Sequence, residues 1–231
     1  MKRIVLITGF TETLEFFSLQ LAEAFRQLGR DVFLYDMKRP AESRAALEGL
    51  EGESILLTFN FIGLQRVGQF AWGEETVFER LGMEIYCIFV DSPIYYQPML
   101  SKPVKKLHLI CIDRNHGAFV ERYYPVLGEV PFLPLGGTGL VPKEDLLPYG
   151  QRPIDLIFTG NFVAPEHLEP HLAGLDEEIR AFLKETVEGF LREPDLVMEE
   201  ELVRRAKEAF GPLGDAEIGR ASCRERVCSW V

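Results

Sequence analysis

Cysteine is scarce in this sequence, and the few present form no pattern. Of the four, two lie beyond Ile218; the others, Cys87 and Cys111, each sit inside an apolar run. That spacing offers neither a disulfide framework nor a metal site, and lone cysteines in such runs read as small buried hydrophobes in a reducing compartment. Long hydrophobic runs are also missing. No stretch reaches the roughly 20 apolar residues that span a bilayer. The run behind Met1-Lys2-Arg3 stops at Ile7, too short for the core of an export signal. Positive charge is in deficit: 25 Lys and Arg stand against 36 Asp and Glu, a net charge of -11. Nucleic acids and anionic membranes are recognised through clustered cations, so the balance argues against both as main partners. A cytoplasmic protein with no integral membrane segment is expected. The G-x-G-x-x-G dinucleotide fingerprint and the G-x-x-x-x-G-K-[ST] phosphate loop are absent. So is H-E-x-x-H. His167 and His171 have the spacing of a helical metal pair, but Pro170 interrupts the helix, and no metal is expected.

What the chain does have is a regular alternation of short apolar runs and helical stretches. Ile4–Ile7, Asp31–Asp36, Ser54–Phe59, Ile85–Val90 and Leu107–Ile112 predict strands, with a shorter one at Val130–Leu133. Between Thr11 and Leu28, the residues Leu14, Phe17, Leu21, Ala24, Phe25 and Leu28 recur at helical spacing. Thr11 or Thr13 is placed to cap that helix, and Gly29 to stop it. Ala41–Leu50, Glu74–Leu81 and Arg114–Tyr123 predict further helices. Strands that are apolar throughout are buried on both faces, and their alternation with helices implies parallel βαβ units. The expected fold is α/β: a Rossmann-like, doubly wound parallel sheet followed by the start of a second, incomplete α/β domain.

The first domain is expected over 1–135. Gly136-Gly137-Thr138-Gly139, with Pro142, Pro148, Gly150 and Pro153, marks a linker over 136–153. The second domain, over 154–217, opens with a strand at Ile154–Thr159 and carries amphipathic helices at Glu177–Leu191 and Glu199–Phe210. Glu199-Glu200-Glu201 reads as the solvated first turn of the latter. Residues 218–231 have neither periodicity and resemble translated adapter sequence, so a non-native tail is expected. Three arginines and one glutamate give that tail +2, leaving -13 on the remainder.

Ligands of doubly wound sheets bind beyond the carboxyl ends of the strands. Gly9, Phe10 and Thr11 follow the first strand, where Gly9 either offers N–H groups to an anion or simply makes a tight turn. Asn60 follows the third strand, as an amide for a sugar hydroxyl or as a turn residue. Asp91-Ser92-Pro93 follows the fourth. A carboxylate there is costly unless hydrogen-bonded or solvated in a cleft. Asp91 can orient a hydroxyl or act as a general base, or it can make an Asx-turn or cap. Tyr95 and Tyr96 can stack on a ring or join the core. His116, beside Asp113 and Arg114, is an acid–base or phosphate group, or a surface or capping histidine. Gly160-Asn161 follows the strand of the second domain.

The string Thr58-Phe59-Asn60, Phe89-Val90-Asp91-Ser92-Pro93, Phe132-Leu133-Pro134-Leu135 and Ile154-Asp155-Leu156-Ile157-Phe158-Thr159-Gly160-Asn161 resembles the spore-maturation, CgeB-like glycosyltransferases. The resemblance runs from Met1 to about Pro170, and more loosely to Phe210. It implies a two-domain GT-B enzyme without a bound metal or other cofactor, whose N-terminal domain binds an acceptor and whose C-terminal domain binds a nucleotide-sugar co-substrate. On this reading the strand-end residues Gly9, Thr11, Asn60, Asp91 and Ser92 form the acceptor cleft, with Asp91 as the base. Gly160-Asn161 would lie on the donor side, and the later donor-binding region is expected to be missing, leaving this chain inactive although its parent is a transferase. Two alternatives stand beside it: a nucleotide-dependent oxidoreductase, and a non-catalytic small-molecule binding protein.

Overall fold

The computed structural model describes residues 2–137, 139, 141–156, 164–193 and 195–212. They fall into two compact units that divide between Leu135 and Gly136. In chain order the first unit contains β1 (Arg3–Thr8), α1 (Glu12–Gln27), β2 (Val32–Asp36), α2 (Pro40–Glu48) and β3 (Ser54–Phe59). A hairpin of β4 (Ala71–Trp72) and β5 (Glu75–Thr76) leads into α3 (Val77–Arg80). Then come β6 (Glu84–Phe89), α4 (Gln97–Ser101), β7 (Leu107–Cys111) and α5 (Arg114–Tyr123).

Five of these strands form one parallel sheet in the order β2-β1-β3-β6-β7. Numbered within the sheet, the order is 2-1-3-4-5. This is the flavodoxin-like form of the doubly wound, Rossmann-like sheet, distinct from the 3-2-1-4-5-6 order of dinucleotide-binding domains. The order reverses between β1 and β3, which is where such sheets open a crevice at their carboxyl edge. Pairing of Leu6 with Leu57, Phe59 with Ile88 and Phe89 with Cys111 brings the carboxyl ends of β1, β3, β6 and β7 level. The residues after each strand therefore share one rim.

Both faces of the sheet are covered because successive side chains alternate between them. Val5, Ile7, Leu56, Ile85, Cys87, Phe89, Leu109 and Cys111 face one core with Tyr35, Leu47, Phe78, Leu100 and Val120. Ile4, Leu6 and Ala22 form the opposite layer under α1, continued by Leu14, Phe59 and Ile88. Each fully buried Leu, Ile or Phe contributes about 1.5–3 kcal/mol over its exposed state, and many here are fully buried.

Three local expectations need correction. The helix expected at Glu74–Leu81 is only Val77–Arg80, because Gly73 at φ 64 turns the chain and residues 75–76 pair back on 71–72. Thr76 instead caps α3 through a capping box with Glu79. The strand expected at Val130–Leu133 is reduced to a single parallel bridge, Cys111 to Phe132.

In the second unit, residues 136–156 are exposed wherever they are described and form only short 3-10 turns. Of the strand expected at Ile154–Thr159, residues 157–159 lie outside the described residues, and Ile154–Leu156 pair with no strand. Helices α6 (Glu169–Leu172), α7 (Glu177–Arg192) and α8 (Met198–Phe210) complete the unit as described. The last two pack through Phe182 on Phe210, with ring centroids 5.1 Å apart. The third correction is Glu201. It is not a solvated first-turn charge but is buried, gripped by Arg204 and Arg205. Arg205 passes over Gly189, where a Cβ would collide with its guanidinium. Among the described residues no helix is long and apolar enough to cross a membrane.

Candidate functional site

The carboxyl rim of the first unit holds one connected polar cluster, built from the residues after β3 and β6. Asn60 continues the β3 ladder through its N–H to Ile88 O and then enters the left-handed region at φ 47, which asparagine tolerates better than most residues. Phe61 follows at φ 58, which is unusual for a bulky residue. Phe61 is held there by burial and by its N–H on Cys87 Sγ at 3.2 Å, while Thr58 Oγ1 bonds Ile62 O across the turn. This turn buries the Asn60 side chain and aims it along the rim. Its Oδ1 accepts from Val90 N at 3.0 Å and Asp91 N at 3.4 Å, and its Nδ2 donates to Asp91 Oδ2 at 2.8 Å.

Asp91 is exposed at its end of β6. Ser92 stays extended before Pro93, and Pro93–Tyr96 forms a 3-10 turn. That tight turn brings Tyr96 back over Asp91, where its hydroxyl donates to the same Oδ2 at 3.3 Å. Burial first, and then the neighbouring Asp91 charge, push the Tyr96 phenol pKa well above its ordinary value. Tyr96 is therefore a fixed donor and Asp91 the acceptor. Among the described residues nothing donates to Asp91 Oδ1.

Of the residues singled out by sequence, Asn60 and Asp91 are in direct contact, with Ser92 beside them. Ser92 takes the cap position of the 3-10 turn without a side-chain bond. Tyr95 is exposed, so the adjacent Tyr96 is the tyrosine that engages the cluster. Phe10 is partly buried against the cluster of Leu14, Phe59 and Ile88, which makes it part of the apolar floor. Thr11 sits at the cap of α1 with no side-chain bond. Gly9 needs its φ of 82, and a Cβ there would lie 2.6 Å from Asp36 Oδ1. Its N–H is already taken by Glu15 Oε1 at 2.9 Å. A carboxylate thus stands where a bound anion would be held at the start of α1, contrary to the anion-cradle reading of Gly9.

His116 lies in the first turn of α5, capped by Asp113 through Asn115 N. Its Nδ1 is buried and has no partner among the described residues. Helix α5 packs against the 93–96 turn. Gly160 and Asn161 lie outside the described residues.

Cys87 and Cys111 are buried thiols whose pKa values are pushed up to about 12 by burial, so neither is a nucleophile at neutral pH. Among the described residues no three His, Cys, Asp or Glu side chains gather to hold a metal. A cavity of about 360 Å³ opens at the opposite, amino-terminal edge of the sheet, between Lys2, Leu50, Ser54 and Lys106. Its lysines already face Glu53 and the Gly82 carbonyl, and ligands of this fold bind at the other edge, so the Asp91 rim is the better candidate.

Tyr96 and Glu15 had weak signals in the sequence: a Ser-Pro start to a tight turn, and an acidic residue in a first helical turn. Comparison with protein-family models, with curated proteins and with solved structures produced no match.

Proposed function

We propose that the chain serves sugar transfer as the acceptor-side part of a glycosyltransferase of GT-B architecture, in the manner of the CgeB-like enzymes it resembles. The observation that carries this reading is the Asp91 carboxylate. It stands at the carboxyl rim with one oxygen occupied by protein donors and the other without a donor among the described residues. A carboxylate so held is suited to accept the proton of an acceptor hydroxyl. As that proton moves to Asp91, the acceptor oxygen bonds to the anomeric carbon of the donor sugar. The bond from that carbon to the nucleoside diphosphate breaks, and the nucleotide leaves with the electron pair. The nucleotide-sugar is a co-substrate in this scheme.

The absence of a G-x-G-x-x-G fingerprint and the occupied N–H of Gly9 disfavour the nicotinamide form of the oxidoreductase alternative. A non-catalytic binding protein would use the same open oxygen without turnover. Nucleoside diphosphate release from uridine, guanosine and thymidine diphosphate sugars, with simple glycosides as acceptors, separates the two. Release is expected from the parent transferase that carries the complete donor-binding region, falling by about 10²-fold or more in its Asp91→Ala variant with an unchanged circular dichroism spectrum. No release from any of these donors, or release that Asp91→Ala leaves intact, overturns the proposal.

A further inference from the structure

We infer that Tyr96 is a positioning residue: with Asn60 it occupies Oδ2 of Asp91, so that Oδ1 alone is presented to an incoming hydroxyl group. The inference rests on the reading of Asp91 as the acceptor-side group and adds a residue and a ligand chemistry to it.

The Tyr96 ring is held independently of Asp91. It stacks on Phe89, with centroids 5.4 Å apart and planes at 14°, and leans on Phe61 at 5.8 Å. Phe89 and Phe61 are themselves fully buried, one at the end of β6 and the other in the strained turn after β3. The hydroxyl is therefore delivered to one place on the rim. Because the phenol keeps its proton at neutral pH, it donates and does not compete as a base. The Asn60 amide has no freedom to reverse, since its Oδ1 already accepts two backbone N–H groups. Two donors from different strand ends thus converge on one carboxylate oxygen.

Oδ1, charged and without a donor among the described residues, accepts from a hydroxyl or ammonium and repels a phosphate or carboxylate. Glu15, at the N–H of Gly9, adds negative charge to the same rim. On the sugar-transfer reading the ligand group that faces Asp91 is accordingly a sugar hydroxyl, and phosphorylated groups bind elsewhere.

The test is a double-mutant cycle on ligand binding by the full chain. Saturation-transfer NMR titrations use the methyl glycosides of glucose, galactose, mannose, rhamnose and N-acetylglucosamine. The proteins are wild type, Tyr96→Phe, Asp91→Asn and the double variant. Tyr96→Phe keeps the ring between Phe61 and Phe89, so its thermal unfolding should match wild type. At least one glycoside is expected to bind wild type and to bind Tyr96→Phe about five- to tenfold more weakly. In the Asp91→Asn background, Tyr96→Phe should have no further effect, because Tyr96 acts only through Asp91. Full binding by Tyr96→Phe alongside loss in Asp91→Asn sinks the Tyr96 role and leaves the Asp91 reading standing. An equal effect of Tyr96→Phe in both backgrounds also sinks that role, since it marks packing alone. Binding unaffected by Asp91→Asn, or no glycoside bound by wild type, overturns both.

Discussion

Glu79 shows how a single buried charge is made tolerable in this chain. Its side chain is fully buried, yet it accepts from Thr76 N at 2.7 Å, Lys105 N at 2.9 Å and the Arg66 guanidinium at 2.9 Å. Burial alone would raise its pKa; the Arg66 bonds and the backbone N–H groups outweigh it and hold the carboxyl below its ordinary value. The folded state therefore prefers the charged form more than the unfolded chain does. That contribution is complete above the ordinary glutamate value of about 4.5 and is lost as pH falls through the lower folded value. Glu79→Gln should cost about 2 kcal/mol at pH 7, since it leaves the donors of Arg66 and Lys105 with a weaker acceptor. The gap in melting temperature between wild type and Glu79→Gln should then narrow on going from pH 7 to pH 3. A gap that stays constant across that range would show that the charge of Glu79 contributes nothing to stability.

Elements were legible in the sequence where one simple cause decides them. The largely apolar runs at residues 4–7, 54–59, 85–90 and 107–112 are strands because only a doubly covered sheet hides most of both their faces. Helices α1 and α5 follow from their helical spacing. The site was legible in part: strand ends and polar side chains pointed to Asn60 and Asp91, and their 2.8 Å contact confirms that they share one rim. The choice of Tyr96 over Tyr95 was not legible, because it depends on the 3-10 winding of residues 93–96. Nor was the burial of Glu201, since an acidic run in a first turn reads as solvated until a second helix is placed beside it. In the structure Arg204 comes first and burial opposes it, with Arg205 adding to the effect, and the Glu201 pKa is held at about 2. Glu201 thus remains charged down to that pH. Glu201→Gln should speed amide hydrogen exchange along α8, while moving the wild type from pH 7 to about pH 5.5, still above the ordinary glutamate value, should leave the protection free energies of α8 unchanged. Equal protection in Glu201→Gln and wild type would remove this carboxylate from the account of the α7–α8 pair.

At the scale of the whole molecule, stabilising contacts are unevenly distributed along the chain. Residues up to Leu135 share a sheet buried on both sides, whereas every described residue from 136 to 156 is exposed. That second stretch has exposed Val141, Leu146, Leu147, Tyr149, Ile154 and Leu156 and is joined only by local turns. Such backbone opens at little free-energy cost, and exposed backbone of that kind is where proteases cut first. Lys143 places a trypsin site inside it, whereas Arg152 precedes Pro153 and resists trypsin. Brief digestion with trypsin at low ratio should therefore cut after Lys143 before it cuts at Lys2, Arg3 or Arg114, which lie in or beside β1 and α5. The fragment ending at Lys143 should keep the cooperative melting and the near-ultraviolet spectrum expected of a packed sheet, because among the described residues none of its core side chains comes from beyond Val130. First cuts within residues 3–123, or a fragment that melts without a cooperative transition, would mean that the first unit depends on residues beyond Leu135 and does not fold by itself.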